Sequence, residues 1–230
     1  MSRVIITGAN KGLGRHAAQR LLADGHDVWI AARDPSRARE TASELGGKHV
    51  ALDVTDDASV SAAAETVADD GGLDVLVNNA GIAGARRPAT EVTAEDIRDV
   101  YEVNVFGAVR VLRAFLPLLD RSESPVVVNV SSGLGSLADA VDPHSAYFDV
   151  VNPAYCSSKA ALNMLTIQYA KAFPRIRINA VDPGFTATDL NEHRGVQSVE
   201  EGTDAIVELA SIARDGPTAT FVDRRGPVAW

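Results

Sequence analysis

Cysteine, aromatic residues and long apolar runs are scarce in this chain of 230 residues. The one cysteine, Cys156, excludes an internal disulfide and a zinc site built on cysteine ligands. The five histidines are scattered without the spacing of metal ligands, so we expect no metal. The apolar stretch Ala108–Leu119 is interrupted by two arginines and Pro117, and no segment reaches the ~18 apolar residues of a membrane span. These absences predict a soluble, cytoplasmic protein.

Basic residues are also few: 22 lysines and arginines face 31 acidic residues, for a net charge of −9. Because neutralising nucleic-acid phosphates needs a basic surface, this balance disfavours general nucleic-acid binding but not one small anionic ligand. The three apolar residues Val4–Ile6 are too few for the ~7–15-residue apolar core of a secretory signal. With 46% apolar residues, the composition is that of a folded globular protein.

Short β-rich runs alternate with helical segments along the whole chain. Near-continuous apolar runs such as Val126–Val128 are typical of strands buried on both faces of a parallel sheet. Helix starts are indicated at Asp34, Thr93 and Asn152. The alternation predicts an α/β fold, a doubly wound parallel sheet of about seven strands with helices on both faces, in a single domain over residues 1–230. The predicted strands are Arg3–Thr7, Asp27–Ala32, Lys48–Leu52, Leu73–Asn78, Ser124–Val130, Arg175–Val181 and Thr218–Val222.

A glycine-rich turn joins the first predicted strand to the first helix. Gly8, Gly12 and Gly14 give the spacing G-x-x-x-G-x-G, which differs from the P-loop pattern. Glycines there allow the backbone to approach a pyrophosphate, which the N–H groups of the following helix can bind. The alternative is a glycine-rich turn without a ligand.

Two further segments follow predicted strands. Asp53 follows the third strand, where a carboxylate can accept a hydrogen bond from an adenine amine. Asn78 and Asn79 follow the fourth and can tie neighbouring strand ends together, while Ala80 and Gly81 leave room for a cofactor. Ordinary turn chemistry is the alternative for each segment. All of these marks fall at carboxyl ends of strands, where ligands bind in such sheets.

Tyr155 and Lys159 are four residues apart in a predicted helix and share one face of it. An ammonium beside a phenol favours the phenolate, so we expect Lys159 to lower the pKa of Tyr155 from about 10. Such a tyrosine can exchange a proton with a carbonyl oxygen near neutral pH. The alternative is a packed tyrosine beside a solvated lysine.

Together these motifs resemble the short-chain dehydrogenase/reductase family, from residue 4 to about residue 190. The resemblance rests on Thr7-Gly8-x-x-x-Gly12-x-Gly14, Asn78-Asn79-Ala80-Gly81, Asn104, Ser131-Ser132, Tyr155-x-x-x-Lys159 and Pro183-Gly184. The tail, from Gly202 to Trp230, is similar to that of the carbonyl-reductase subgroup. The resemblance implies a Rossmann fold and an NAD(P)-dependent oxidoreductase that moves hydride between nicotinamide and a carbonyl or alcohol.

The resemblance also implies the site residues. Tyr155 would be the general acid or base, Lys159 would bind the nicotinamide ribose, and Ser132 would contact the substrate carbonyl, with Ser131 a bystander. Asn104 would hold a water that links Lys159 to solvent. The expected cofactor contacts are Gly8, Asn10, Lys11, Gly12, Leu13, Gly14, Arg33, Asp53, Val54, Asn79, Ala80, Gly81, Tyr155, Lys159, Pro183, Gly184, Thr186 and Thr188.

The end of the second strand indicates which nicotinamide cofactor is used. Ala32 stands where the resemblance places the acid that selects NAD, and Arg33 stands where a 2′-phosphate would bind. Lys11 is a second suitable cation, whereas Asp34 precedes Pro35 and is better placed to cap a helix. We therefore predict NADP(H), with NAD(H) as the less favoured choice.

The interval between Ser132 and Tyr155 is longer than is usual in the family, which predicts an insert at about residues 133–152. The insert either blocks the family's helix-paired dimer, shapes the substrate pocket or only extends a surface loop, and a monomer is slightly favoured over a dimer or tetramer. A mobile substrate lid is expected at about residues 185–199. The substrate is a small carbonyl or alcohol that the sequence does not identify. A non-catalytic dinucleotide sensor is the alternative function.

Overall fold

The structure, a computed structural model, describes all residues from 1 to 230 and contains one eight-stranded sheet. The sheet order is β3-β2-β1-β4-β5-β6-β7-β8, and every neighbouring pair is parallel except β7 and β8. The strands are β1 (Arg3–Thr7), β2 (Asp27–Ala32), β3 (Lys48–Ala51), β4 (Val75–Asn78), β5 (Val126–Val130), β6 (Arg177–Val181), β7 (Phe221–Asp223) and β8 (Gly226–Pro227). Because β1 to β6 are parallel, their carboxyl ends all meet at one edge of the sheet.

Helices cover both faces of the sheet and produce two hydrophobic cores. Val4 and Ile6 face one core and Ile5 faces the other, as the alternation of side chains along a strand requires. Helices α1 and α8 pack into the first core, and α3 and α5 pack into the second. The helices are α1 (Gly12–Ala23), α2 (Pro35–Leu45), α3 (Asp57–Asp69), α4 (Ala94–Tyr101), α5 (Ala108–Leu119), α6 (Leu137–Val141), α7 (Pro153–Ala172) and α8 (Val199–Ala210).

The helix starts that the sequence indicates are present. Asp34 accepts hydrogen bonds from the backbone of Ser36 and Arg37 at the start of α2. Thr93 and Asp96 form a capping box at α4, and Asn152 caps α7 by accepting from Tyr155 N–H. None of the helices has the length and apolar character that crossing a membrane requires.

The predicted fold class is confirmed, with one difference in strand count. The sequence predicts about seven strands, whereas β8 adds an eighth that pairs with β7 in antiparallel fashion. Its two residues are Gly226 and Pro227, and a segment so short has no period of two that a sequence pattern could reveal.

Candidate functional site

The carboxyl ends of the parallel strands border a cleft of about 650 Å³. It runs from the glycine turn after β1, past the ends of β2 and β3, to the N-terminal half of α7. The expected cofactor contacts that line it are Gly8, Asn10, Lys11, Gly12, Leu13, Gly14, Arg33, Asp53, Val54, Asn79, Ala80, Gly81, Tyr155, Lys159, Pro183 and Thr188. Gly184 and Thr186 line the adjoining cavity instead. The structure therefore brings together residues that lie up to 180 positions apart.

The glycine turn is shaped by close backbone packing. Gly8 has a positive φ of 65°, which disfavours residues with a side chain. A Cβ on Gly14 would lie 2.5 Å from Asn79 Nδ2 and 2.9 Å from the Gly8 carbonyl oxygen, so only glycine fits there. The Asn79 amide in turn donates to the Thr7 carbonyl at 2.8 Å, and Thr7 Oγ1 accepts from the backbone of Asn79 and Ala80. This network ties the end of β4 to the turn after β1.

A second polar link crosses the middle of the sheet. Asn78 Nδ2 donates to Asn129 Oδ1 at 3.0 Å, and Asn129 Nδ2 donates to Thr166 Oγ1 of α7 at 2.9 Å. Asn78 and Asn129 are register partners on β4 and β5. The expectation that asparagines tie strand ends together is therefore confirmed, and the sequence reasoning missed the extension to Thr166.

Arg33 lies at the end of the cleft formed by β2 and β3. It is exposed and makes no ion pair, whereas the nearby Asp34 and Arg37 pair with each other. Burial tends to raise the pKa of Asp53, but hydrogen bonds from Thr55 and the charge of Arg33 together lower it below its ordinary value. A free guanidinium at this position fits a phosphate group on an adenosine ribose.

Lys11 also lines the cleft, but its charge is shared with the segment after β6. Its Nζ lies 2.9 Å from Asp189 Oδ2, and Asp189 Oδ1 lies 2.9 Å from His193 Nε2. The sequence indicates Lys11 as a second cation for the cofactor phosphate, and in the structure this cation is already paired with Asp189. The sequence does not show this pairing because the two residues are 178 positions apart.

Asn104 lies in a single π-helical turn, Glu102–Gly107, between α4 and α5. Its side chain is buried, accepts from Ile82 N–H at 2.9 Å and donates to the Ile82 carbonyl at 2.9 Å and to Ser158 Oγ at 3.0 Å. A π-turn inside a helix is a feature frequently found at functional sites. The turn places Asn104 against both the β4 exit loop and the helix that carries Lys159.

Tyr155 and Lys159 lie on α7 as predicted, and Lys159 Nζ is 5.6 Å from the centre of the Tyr155 ring. Lys159 is almost fully buried, and its ammonium donates to the Val130 carbonyl at 2.8 Å. Burial lowers the pKa of Lys159 to about 8, an effect that the charge of Asp182 partly opposes.

The expected lowering of the Tyr155 pKa is wrong for this structure. Burial raises the pKa of the Tyr155 hydroxyl, and a hydrogen bond with Ser132 only partly opposes the increase. The physical reason is that desolvation of the hydroxyl outweighs the local interactions, while the Lys159 ammonium is directed at a backbone carbonyl. Tyr155 is therefore a neutral phenol at neutral pH.

The two serines after β5 point in different directions. Ser131 is buried and donates to Asn163 Oδ1 at 2.5 Å within the protein interior. Ser132 is half-buried, accepts from Leu134 N–H and lines the cavity next to Tyr155. Of the two hydroxyls, only that of Ser132 faces a space that a substrate could occupy beside Tyr155.

A cavity of about 540 Å³ adjoins the cleft, and we term it the substrate cavity. Its walls are largely apolar and include Val150, Val151, Phe185 and Leu190, as well as Ser132, Tyr147 and Tyr155. Arg86 and Arg87 lie at its border but pair with Glu192 and Asp96. Nowhere in the structure do three or more His, Cys, Asp or Glu side chains form a group that could hold a metal ion.

Sequence reasoning missed one pair of residues at the edge of this cavity. The Tyr147 hydroxyl donates to Asp182 Oδ2 at 2.8 Å, and Asp182 Oδ1 accepts from Gly184 N–H. The only signal was that an aspartate directly precedes Pro183-Gly184, and it gives no indication of a partner in the insert.

Comparisons with known proteins agree with this geometry. The model of the family described as short chain dehydrogenase matches residues 2–198. The (+)-neomenthol dehydrogenase of Arabidopsis thaliana is 34% identical over 96% of this chain and 95% of its own length. An NADPH-bound carbonyl reductase from chicken fatty liver is 32% identical, with a TM-score of 0.87 over 100% of this chain and 99% of that one. Salutaridine reductase from Papaver somniferum is 27% identical, with a TM-score of 0.84 over 97% of this chain and 100% of that one.

The strand order defines a Rossmann-like fold, and the family match with its relatives identifies an oxidoreductase on it. The chain belongs to the short-chain dehydrogenase family, and it resembles the carbonyl reductases within it.

Proposed function

We propose that the protein is an NADP(H)-dependent carbonyl reductase in which Tyr155 is the general acid. The observation that carries this proposal is the position of Tyr155, which lines both the cleft and the substrate cavity. Lys159 lies on the cleft side of Tyr155 and Ser132 on the cavity side. A carbonyl at this junction would contact the Tyr155 and Ser132 hydroxyls while its carbon faces the cleft.

The bound nicotinamide supplies the hydride in reduction and accepts it in oxidation. The Tyr155 hydroxyl gives its proton to the carbonyl oxygen as negative charge develops there, and Ser132 stabilises the same oxygen with a hydrogen bond. A neutral Tyr155 suits this proton donation at neutral pH. Lys159 holds the nicotinamide ribose and takes part in returning a proton to Tyr155, with Asn104 as its link toward solvent.

The preference for NADP(H) over NAD(H) is supported by Arg33. It is a free guanidinium at the ribose end of the cleft, whereas Asp34, the acidic residue next to it in the sequence, is engaged in capping α2. Lys11 binds the cofactor phosphates once its ion pair with Asp189 opens. A similarity to an NADPH-bound carbonyl reductase supports the same choice.

We propose a cytoplasmic protein that acts on small carbonyl or alcohol substrates as a monomer. The reducing environment of the cytoplasm fits a chain with one cysteine. The apolar walls of the substrate cavity favour a substrate with little charge, because Arg86 and Arg87 are already paired.

The deciding experiment measures NADPH oxidation with a panel of aldehydes and ketones. Tyr155→Phe should lower kcat/KM by at least about a hundredfold, because general acid catalysis contributes that much, while leaving the Kd for NADPH nearly unchanged. Tyr169→Phe is the matched control, since Tyr169 lies on the same helix and stacks on Phe173 away from the cleft.

The same variants separate the proposal from the alternative of a non-catalytic sensor. A sensor would bind NADPH without turning over any member of the panel. Full turnover in Tyr155→Phe would instead show that the proton comes from another group.

A further inference from the structure

A second cavity of about 510 Å³ lies beside the substrate cavity, and we term it the rear cavity. The two cavities adjoin where the predicted insert meets the segment after β6, and we term the lining that they share the shared wall. The residues common to both cavities are Leu134, Tyr147, Val150, Pro183, Gly184 and Phe185. Tyr147 is the largest side chain of this wall and the one that is anchored by its own hydrogen bond.

Tyr147 is held in place from two sides. Its hydroxyl donates to Asp182 Oδ2 at 2.8 Å, and Asp182 is only 3% exposed, so the acceptor is itself fixed. Its ring packs against Gly133, where an added Cβ would come within 2.2 Å of the ring carbon Cε2. A half-buried tyrosine held at both its ring and its hydroxyl forms a fixed partition rather than a swinging side chain.

The chemistry of the rear cavity suits an uncharged group. Beyond the shared wall, its lining combines the apolar residues Ala146, Val196 and Ala205 with the polar or acidic residues Asp182, Gln197, Glu201 and Asp223. Arg224 and Arg225 lie at its border, but they are paired with acidic residues, Glu201 and Asp223 respectively. An anionic substituent would find no free cation there and several carboxylates, whereas an alkyl or aryl group would contact the apolar residues of the shared wall.

We propose that Tyr147 sets the upper size limit of the substrate by closing the substrate cavity off from the rear cavity. The inference rests on the proposed function, since it concerns the carbonyl compounds reduced at Tyr155. With Tyr147 in place, a ketone substituent extends only to its ring. With that ring removed, the accessible space nearly doubles, and a longer apolar substituent would reach the rear cavity.

The test is a series of methyl n-alkyl ketones of increasing length, assayed with NADPH on the intact protein. Tyr147→Ala should raise kcat/KM for long ketones relative to short ones, by up to about fourfold for each methylene that enters the rear cavity. Phe148→Ala is the matched control, because Phe148 is the neighbouring aromatic residue of the insert and lines neither cavity. Its length profile should follow that of the native protein.

Gly133→Ala provides an independent route, because it displaces the ring while leaving Tyr147 chemically intact. It should shift the length profile in the same direction as Tyr147→Ala. If Tyr147→Ala does not fold, as judged by thermal unfolding and NADPH binding, Tyr147→Leu and Gly133→Ala take its place. Two results would overturn the inference, provided that the variants fold and bind NADPH. One is a dependence of kcat/KM on ketone length that equals that of the native protein. The other is a decrease in kcat/KM that grows with ketone length.

Failure of this inference is distinguishable from failure of the proposed function. If the native protein reduces neither ketones nor aldehydes, the proposed function is wrong, and calorimetry with the corresponding alcohols still measures the length limit without turnover. If the native protein reduces short ketones but the variants show no relative gain for long ones, only the role of Tyr147 is wrong.

Discussion

At the scale of single residues, burial controls the site more than the contacts between neighbouring charges. Lys159 and Tyr155 both have pKa values shifted toward the neutral form, because the interior penalises an ammonium and a phenolate alike. The sequence places the two side chains on one helix face but does not reveal how deeply that face is buried. Arg33 differs from both, since its guanidinium is exposed, makes no ion pair within the protein and is free to contact a ligand.

The buried ammonium of Lys159 should oppose folding at neutral pH. Its pKa is about 8 in the folded protein and near 10.5 when the chain unfolds, so the unfolded state binds the proton more tightly between these values. This contribution to the free energy of unfolding therefore rises as the pH increases from about 8 to 10.5. In urea titrations at several pH values, native stability should rise over this range relative to Lys159→Met.

Lys171→Met is the control for this measurement, because Lys171 is exposed near the end of the same helix. Its stability difference from the native protein should not change with pH in that range. If the difference in free energy of unfolding between Lys159→Met and the native protein is also independent of pH, then Lys159 titrates in the folded protein as it does in water.

Arg33→Ala should weaken NADPH much more than NADH. Loss of a charge-assisted contact with the 2′-phosphate is expected to raise the KM for NADPH by about tenfold to a hundredfold, since such contacts contribute about 1.5–3 kcal/mol. The KM for NADH should change little. Arg37→Ala is the control, because that guanidinium is already paired with Asp34. Equal increases for both cofactors in Arg33→Ala would contradict the assignment.

At the scale of elements, the π-turn between α4 and α5 is the feature that positions the site most directly. A regular helix would advance its side chains by 100° per residue, whereas the extra residue of the π-turn reorients the segment around Asn104. Gly107 closes the turn against Val54, where a Cβ would come within 2.8 Å of Cγ2. The turn therefore couples α4, α5 and the loop after β4.

Asn104→Ala should destabilise the protein by about 1–3 kcal/mol, because the buried Asn104 side chain makes two hydrogen bonds to the backbone of Ile82 and both are lost. Chemical denaturation measures this loss. Ser158→Ala should cost less, since it removes only one of the three hydrogen bonds of Asn104. If Asn104→Ala lowers the free energy of unfolding less than Ser158→Ala does, the backbone of Ile82 finds other hydrogen-bond partners.

At the scale of the whole molecule, the insert and the segment after β6 enclose the substrate cavity on top of a sheet that already holds the cofactor cleft. The insert is tied down by Tyr147 and, through Ala138, by a backbone hydrogen bond to the last residue, Trp230. Trp230 in turn stacks on Phe221 of β7, with ring centres 5.4 Å apart. The far end of the chain therefore supports the substrate side of the site.

Light scattering coupled to size-exclusion chromatography tests the proposed monomer. The expected mass is 24.2 kDa, that of one chain. A mass twice or four times as large, stable on dilution, would show that the insert shapes the pocket without preventing helix-paired association.

The sequence by itself determined the fold class, most strand positions, the glycine turn and the Tyr155–Lys159 pair. These depend on short-range patterns: alternating elements, glycines at fixed intervals, and two side chains four residues apart on one helix. Strands β1 and β2 match their predicted bounds, because the glycine turn follows β1 and turn signals flank β2 on both sides. Only the tertiary structure decided the depth of burial of Lys159, the pairing of Lys11 with Asp189 and the anchoring of Tyr147 on Asp182. Each of these depends on groups far apart in the chain, and both desolvation and hydrogen bonding are set by which distant segments the fold brings together.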